Sequence, residues 1–269
     1  MSMNLYRSPD ADRAFRNSPD GPIIVLSYPH SGAGTLSRLL SASGSLACTS
    51  GTGIVPLCHT AMVTWQQAEE SGQPGSALAA KSVRALATQM ITIILARTGA
   101  SRWCETTFTN NAAATIFRQI FPAATFVCVH RSLRAVLAEG IRAYPWGLGA
   151  SPFWPFAGPH PGNDASTITA FWAARTEDLL AFEASHSAAC VRIRHEDLVA
   201  DTGARAAELY THLGLNSSDL TALSHLPPDV GHHDGRDEPD QQRALPVDHL
   251  PPKLLAKATE LHRKLDYPI

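Results

Sequence analysis

No surplus of either charge marks this chain. Twenty-two Lys and Arg stand against 24 Asp and Glu, a formal net charge of −2, which leaves no global basic field of the kind that holds nucleic acid without sequence preference. No nucleic-acid partner is expected. A long hydrophobic run is also missing: the densest aliphatic stretch, Ile91 to Leu95 around Thr92, is far short of a membrane span, and the start MSMNLYRSPDADRAFRN has no apolar segment of a signal peptide. The sequence therefore reads as a cytoplasmic protein with no membrane contact. Cysteine is sparse and scattered. Cys48, Cys58, Cys104, Cys128 and Cys190 contain no C-x-x-C pair, which argues against both a disulfide framework and a zinc ribbon. They read as reduced thiols, with Cys128 and Cys190 filling core positions inside strands.

What is present is material for one core. At 269 residues and 44% hydrophobic content, a single domain over 1–269 is expected, with 1–20 as a flexible start. From Pro22 onward, short β-like runs alternate with helical patterns, the signature of an α/β fold with a central parallel β-sheet flanked by helices. Ile23-Ile24-Val25-Leu26 is the first buried strand, and Leu36, Leu39 and Leu40 then share one helical face. Helical spacing continues over Lys81–Arg97 and Asn111–Ile120. Ala124–Val129 reads as a central strand running into His130-Arg131 and a further helix. A helix through Ile168, Phe171, Trp172, Leu179 and Phe182 follows, then a strand at Cys190–Arg194 and a helix over Ala204–Leu213 closed by Gly214. A last amphipathic helix runs through Leu254, Leu261 and Leu265.

Two stretches break the alternation. Residues 144–164 pack five prolines, four glycines, two tryptophans and two phenylalanines into one long loop, and long ordered loops in compact domains usually carry function. This loop is expected to form one wall of an apolar pocket, with Tyr144, Trp146, Phe153 and Trp154 contacting a bound small molecule. The proline-rich, acidic stretch from Leu226 to Pro252 is expected to be irregular. Its His232, His233, Asp234 and Asp237 lack ligand spacing on a helix or strand, so no metal is expected.

The strongest local feature is Ser27-Tyr28-Pro29-His30-Ser31-Gly32-Ala33-Gly34-Thr35, set between a buried strand and a helix. Unpaired N–H groups at such a helix start, with two glycines permitting close approach, suit a phosphate; the alternative is an ordinary strand-to-helix turn. No Lys precedes Thr35, and Pro29 stands where the first glycine of G-x-x-x-x-G-K-[ST] belongs, so this is no ordinary nucleotide triphosphatase loop. Three groups are candidate acid–base residues: Glu105 at the end of a strand, His59 in a loop and His30.

Read together, four segments resemble the sulfotransferases that use 3′-phosphoadenosine 5′-phosphosulfate. Y-P-H-S-G-A-G-T-L is similar to their phosphosulfate loop, P-[KR]-S-G-T-T-[WL]. W-C-E-T-T-F-T-N resembles W-x-e-K-T-P-x-n, F-V-C-V-H-R-S-L-R-A-V resembles the turn h-h-h-h-h-R-D-P-R-D-V, and I-R-H-E-D-L-V-A-D…H-L-G-L resembles y-E-d-L-v-x-d-P…f-L-G-l. The order is the family's, from Ser27 to Leu215. The resemblance implies a P-loop NTPase-like architecture and sulfuryl transfer to a hydroxyl of a small, apolar or aromatic acceptor. It implies a cofactor held by His30, Ser31, Gly32, Ala33, Gly34 and Thr35, with Arg131 on the 3′-phosphate and Glu139 in the place of a phosphate-binding Ser. The sequence also departs from the family: His30 replaces Lys or Arg, Ala33-Gly34 replace two Thr, Thr106 replaces Lys and Glu139 replaces Ser. A small-molecule kinase or a cofactor-less binding protein on the same fold are the alternatives.

Overall fold

Four consecutive aliphatic residues with no exposed face can form only a central strand, and Ile23–Leu26 (β1) is one, each residue at most 1% exposed. The computed structural model describes residues 21–70, 76–107, 111–216 and 250–267. Five strands form one sheet: β1, Leu46–Ser50 (β2), Arg102–Thr107 (β3), Thr125–His130 (β4) and Cys190–Arg194 (β5). Their order is β2-β3-β1-β4-β5, and every neighbouring pair is parallel. The helices are Ala33–Ser41 (α1), Ile54–Glu70 (α2), Ser76–Thr98 (α3), Asn111–Ile120 (α4), Leu133–Ala143 (α5), Asp164–Ser185 (α6), His195–Ala200 (α7), Thr202–Leu213 (α8) and Pro252–Lys264 (α9).

The pleat divides the core in two. Ile23 and Val25 point toward Leu36, Leu39 and Leu40 of α1 and Leu209, Tyr210 and Leu213 of α8. Ile24 and Leu26 point the other way, into a larger core built with α2, α3, α4, α6 and α9. The expected α/β architecture, a parallel sheet flanked by helices, is therefore the observed one. Because β1 leads through α1 toward β2 on one side while β4 leads toward β5 on the other, the crevice between the carboxyl ends of β1 and β4 is the topological switch point, where ligands of open α/β sheets bind.

Boundaries differ from the sequence reading where the signal is weak. β2 and α2 were not anticipated. The edge strand LACTS buries only its first two residues, so its alternation is faint, and Pro56 masks α2 although a first-turn proline is compatible with a helix. His59 consequently sits on α2, half-buried, rather than in a loop. The strand holding Glu105 continues to Thr107, so Glu105 is not its end; it lies in register with Ile24, below the carboxyl edge. Helix α3 begins at Ser76, earlier than Lys81. It is long and apolar enough by composition to cross a membrane, with a mean hydropathy of 1.3 over Leu78–Thr98; its Ala79, Val83, Ala87 and Ile91 stripe is buried in the larger core. Gly214 does close α8, in the left-handed conformation at φ 68°. The expected flexible start at 1–20 and the His232, His233, Asp234 and Asp237 tract lie outside the described residues; among the described residues no cluster suits a metal ion.

One buried cation fastens the sheet's lower edge. Arg102, 8% exposed, donates from Nε to the Gly21 carbonyl (2.6 Å) and from Nη1 to the Leu213 carbonyl at the end of α8 (2.5 Å), a favourable place for positive charge. Arg102→Leu strands both carbonyls, and charge-assisted bonds of this kind contribute about 1.5–3 kcal/mol each, not additively. The expected outcome is a loss of about 2–4 kcal/mol in urea unfolding with the native circular dichroism retained.

Candidate active site

The chain leaves β1 through a tight, strongly bent turn. Ser31 N–H donates to the Tyr28 carbonyl (3.0 Å), and Tyr28 N–H donates to Ser31 Oγ (3.3 Å), so the Ser31 hydroxyl, 1% exposed, is turned into the loop. His30 has φ 65° and Gly32 φ 93°. A Cβ on Gly32 would lie 1.9 Å from the His195 ring, so glycine is required there both for backbone shape and for space. Beyond it, Thr35 and Leu36 N–H groups bond back to the Gly32 carbonyl. The N–H groups of Gly32, Ala33 and Gly34 have no protein acceptor among the described residues, and Gly34 has nothing within 4 Å of where a Cβ would be. Three successive free donors opening a helix form a cradle for an anion.

Facing this cradle is the exit of β4. The Tyr28 hydroxyl donates to the Arg131 carbonyl and accepts from Arg131 N–H, both at 3.2 Å, while Trp172 Nε1 donates to the same carbonyl at 2.9 Å. Burial pushes the Tyr28 phenol up to about 12, so it stays protonated. The Arg131 guanidinium reaches back across the crevice, donating from Nη1 to the His30 carbonyl (2.8 Å) and to Glu139 Oε2. Glu139 also accepts from His30 Nδ1 at 3.3 Å. Burial alone would raise the Glu139 carboxyl, but the His30 hydrogen bond and the Arg131 charge outweigh it and hold the group down at about 2. Arg131 Nε is buried with no partner among the described residues.

The aromatic loop is a chain of overlapping turns, in which residues 147, 151, 154, 157, 160 and 163 each donate three residues back, with a short 3-10 turn at Trp154–Phe156. It meets the turn after β1 through two rings: Phe153 stacks on His30 (5.6 Å, 22°), and Tyr144 meets His30 edge-on (6.1 Å, 88°). Trp146 and Trp154 do otherwise. They are 98% and 59% exposed and make no ring contact with His30 among the described residues, the turns seating Leu148, Ser151 and Phe153 inside instead.

Glu105 stands apart from this cluster. It is 1% exposed and accepts from Thr49 Oγ1 (2.5 Å), Thr52 N–H (2.9 Å) and Thr52 Oγ1 (3.1 Å), with Trp103 Nε1 donating in turn to Thr49 Oγ1 (2.8 Å). The carboxylate seats the loop that leads into α2. His59 lies on that helix, and no contact joins it to His30 or Arg131 among the described residues.

Several functional supports escaped the sequence reading. The N-terminus of α5 is closed by side chains from distant segments: Ser132 N–H donates to Glu196 (2.9 Å), Leu133 N–H to His262 Nε2 (3.2 Å) and Ala135 N–H to Ser132 Oγ (3.4 Å). Tyr267 donates to the second oxygen of Glu196 (2.8 Å), and Arg194 forks onto Asp197 (2.7 Å from Nε and Nη2). Thus the H-E-D-L block is a buckle, with Glu196 capping a helix, Asp197 holding Arg194 and Leu198 buried. Beneath the crevice, His130 bonds Glu183 (2.8 Å), which also binds Arg192 (Nε, 2.8 Å). Only the H-E-D-L spelling pointed to any of these; Glu183 and His262 gave no local signal, and Trp172 showed only as part of a helical face.

Comparison with known proteins fits this geometry. The family model described as "Sulfotransferase family" matches residues 22–219. The chain belongs to the sulfotransferase family. Among solved structures, the sulfotransferase resembles the sulfotransferase domain from the curacin biosynthetic pathway, with a TM-score of 0.61 at 14% identity over 93% of this chain and 98% of that one. The sulfotransferase domain of the Synechococcus PCC 7002 olefin synthase gives 0.57 at 15% identity, covering 93% and 96%. Sulfotransferase STF9 from Mycobacterium avium gives 0.56 at 11%, covering 97% and 80%. No curated protein matches significantly by sequence. At such identities the structural likeness speaks for the fold, the P-loop-like architecture that the resemblance of the four segments implies.

Two outcomes test the site's electrostatics. Glu139 is depressed from its usual 4.5 to about 2 in the folded state, so its stabilising contribution is complete above pH of about 4.5 and fades as pH falls toward about 2. The stability difference between the native sulfotransferase and Glu139→Gln, read from urea midpoints, should therefore shrink across that window and stay flat above it. Glu105→Gln turns an amide N–H₂ toward hydroxyl or amide donors and should lower stability by about 1–3 kcal/mol in the same assay.

Proposed function

We propose that this sulfotransferase moves a sulfuryl group from 3′-phosphoadenosine 5′-phosphosulfate to a hydroxyl of a small apolar or aromatic acceptor. The observation that carries the reading is the set of free N–H groups at Gly32, Ala33 and Gly34, which open α1 beside the switch point in the same loop whose His30 carbonyl the Arg131 guanidinium bonds. Donors fixed in advance around an anion stabilise charge that develops there without reorganising. The nucleotide supplies the sulfuryl group joined to its 5′-phosphate through a bridging oxygen. In the protein, the cradle binds the anionic end, and Arg131 is the cation for the 3′-phosphate. His30 is the acid–base residue this arrangement favours, above Glu105 and His59. Its Nδ1 is fixed by Glu139 and its ring by Phe153, which leaves Nε2 to hold a proton and deliver it to an oxygen leaving in the cradle. Tyr144, half-buried, offers an apolar acceptor the nearest ring surface, with the fully buried Phe153 packed behind it. Neither a membrane nor nucleic acid enters this reading, which suits a cytoplasmic enzyme.

A second reading has its own support. Glu139 already neutralises Arg131, as expected of a binding protein that no longer takes a 3′-phosphate. Melting curves separate the two. Adenosine 3′,5′-bisphosphate at about 100 times its Kd should raise the melting temperature by roughly 5–10 °C, with ATP giving far less. Arg131→Ala should weaken binding about 10- to 100-fold, whereas Glu139→Ser should strengthen it, by a margin that shrinks as salt is added. Equal shifts with ATP would favour a kinase; no shift in either the native protein or Glu139→Ser would leave the cofactor-less reading standing.

A further inference from the structure

The five cysteines are scattered in sequence, yet the sheet gathers four of them into two neighbouring sets. Cys48 on β2 lies directly in register with Cys104 on β3, and both sulfurs face the smaller core. Cys128 on β4 and Cys190 on β5 also share a face, but Cys128 is opposite Arg192 and Cys190 opposite Phe126. Register decides which set is bridgeable. Parallel strands lie about 4.8 Å apart, so the Cα atoms of Cys48 and Cys104 fall inside the roughly 4.4–6.8 Å window of disulfides. The offset of two residues adds about 6.6 Å along the strand for Cys128 and Cys190, giving roughly 8 Å between Cα atoms, so although these two thiols are hydrogen-bonded to each other, bridging them needs backbone movement that the in-register pair does not.

We propose that Cys48 and Cys104 form a reversible cross-strand disulfide when the protein meets a peroxide. Access favours Cys48 as the attacking sulfur: it is half-buried on the edge strand, whereas Cys104 is 1% exposed. A hydrogen bond from Cys104 pulls the Cys48 thiol down and, together with burial, pushes Cys104 up, so the exposed partner is the nucleophile and the buried one resolves it. The Cys48 thiolate attacks one peroxide oxygen, the O–O bond breaks, and the departing hydroxide takes up a proton as water, leaving a sulfenic acid. Cys104 then attacks Cys48 Sγ, the S–S bond forms, the S–O bond breaks, and a second water leaves with the Cys104 proton. Two thiols are oxidised and one peroxide is reduced. In-register parallel residues hold their Cβ atoms near the strand spacing, above the roughly 3.5–4.5 Å a relaxed disulfide prefers. The bridge is therefore strained and readily reduced, as suits a switch. Thr49 and Glu105, the next residue in each strand, share the hydrogen bond that seats the loop into α2, so oxidation stiffens that loop.

The test is thiol counting and peptide mapping of the full chain after hydrogen peroxide. Of five free thiols, three should remain, the mass should fall by about 2 Da, and a non-reduced digest should join the peptides of Cys48 and Cys104, all reversed by dithiothreitol. Cys48→Ser, checked for native melting, should keep four free thiols after the same treatment; Cys104→Ser should stop at a Cys48 sulfenic acid that dimedone traps, with three free thiols and no crosslink, while Cys128→Ser should still form the bond. Five surviving thiols, a bond linking Cys128 to Cys190, or sulfinic acid at Cys48 without a crosslink would each overturn the proposal.

Discussion

One phenol joins the two halves of the sheet where chemistry is expected. The Tyr28 hydroxyl gives a hydrogen bond to the Arg131 carbonyl and takes one from the Arg131 amide, so beyond the paired ends of β1 and β4 the two exits are held together by a single rigid side chain. Everything in the crevice inherits that spacing. The guanidinium reaches the His30 carbonyl only because the strand ends are held at this separation, and Trp172 reinforces the same carbonyl from α6. Burial pushes the phenol up to about 12, which preserves both bonds through the neutral range.

Most of the fold was readable because buried parallel strands and amphipathic helices leave strong marks. Ile23–Leu26 has no polar position to confuse the pattern, and Gly214 stops α8 by a local conformational requirement that any reader of the sequence can apply. β2 and α2 were hidden for the opposite reason, since an edge strand buries little and a first-turn proline looks like a breaker. Within the site, the loop after β1 and Arg131 were legible, being local turns after strands. The Glu139 interaction with His30 was not. Residues 109 positions apart meet only through the sheet order, and the same holds for Glu196 and His262 at the start of α5. Trp146 and Trp154 carry a different lesson: composition marks a loop as aromatic, but hydrogen-bonded turns decide which rings face inward.

The H-E-D-L block illustrates how a family spelling can be structural. Glu196 accepts from the α5 start and from Tyr267, and Asp197 fixes Arg194, whose Nη1 also donates to the Leu265 carbonyl (3.1 Å). α9 is thereby attached to the helix that carries Glu139. The His195 ring, from the same block, lies against Gly32, so the phosphate-type loop and the C-terminal helix are braced by adjacent residues of one short segment. A disturbance at α9 has a direct mechanical route to the cradle.

The cancellation of Arg131 by Glu139 has a kinetic side. A cleft whose cation carries its own counter-ion projects little field beyond the protein surface, and this chain's overall charge of −2 adds no attraction for anions. Electrostatic steering, which speeds encounters by about 10- to 1,000-fold when a cleft bears one sign of charge, therefore gains nothing from this pair. On the proposed function, an anionic nucleotide would gain its attraction from Arg131 only on contact, once the carboxylate gives way. Capture would then be governed by a local rearrangement instead of by long-range attraction.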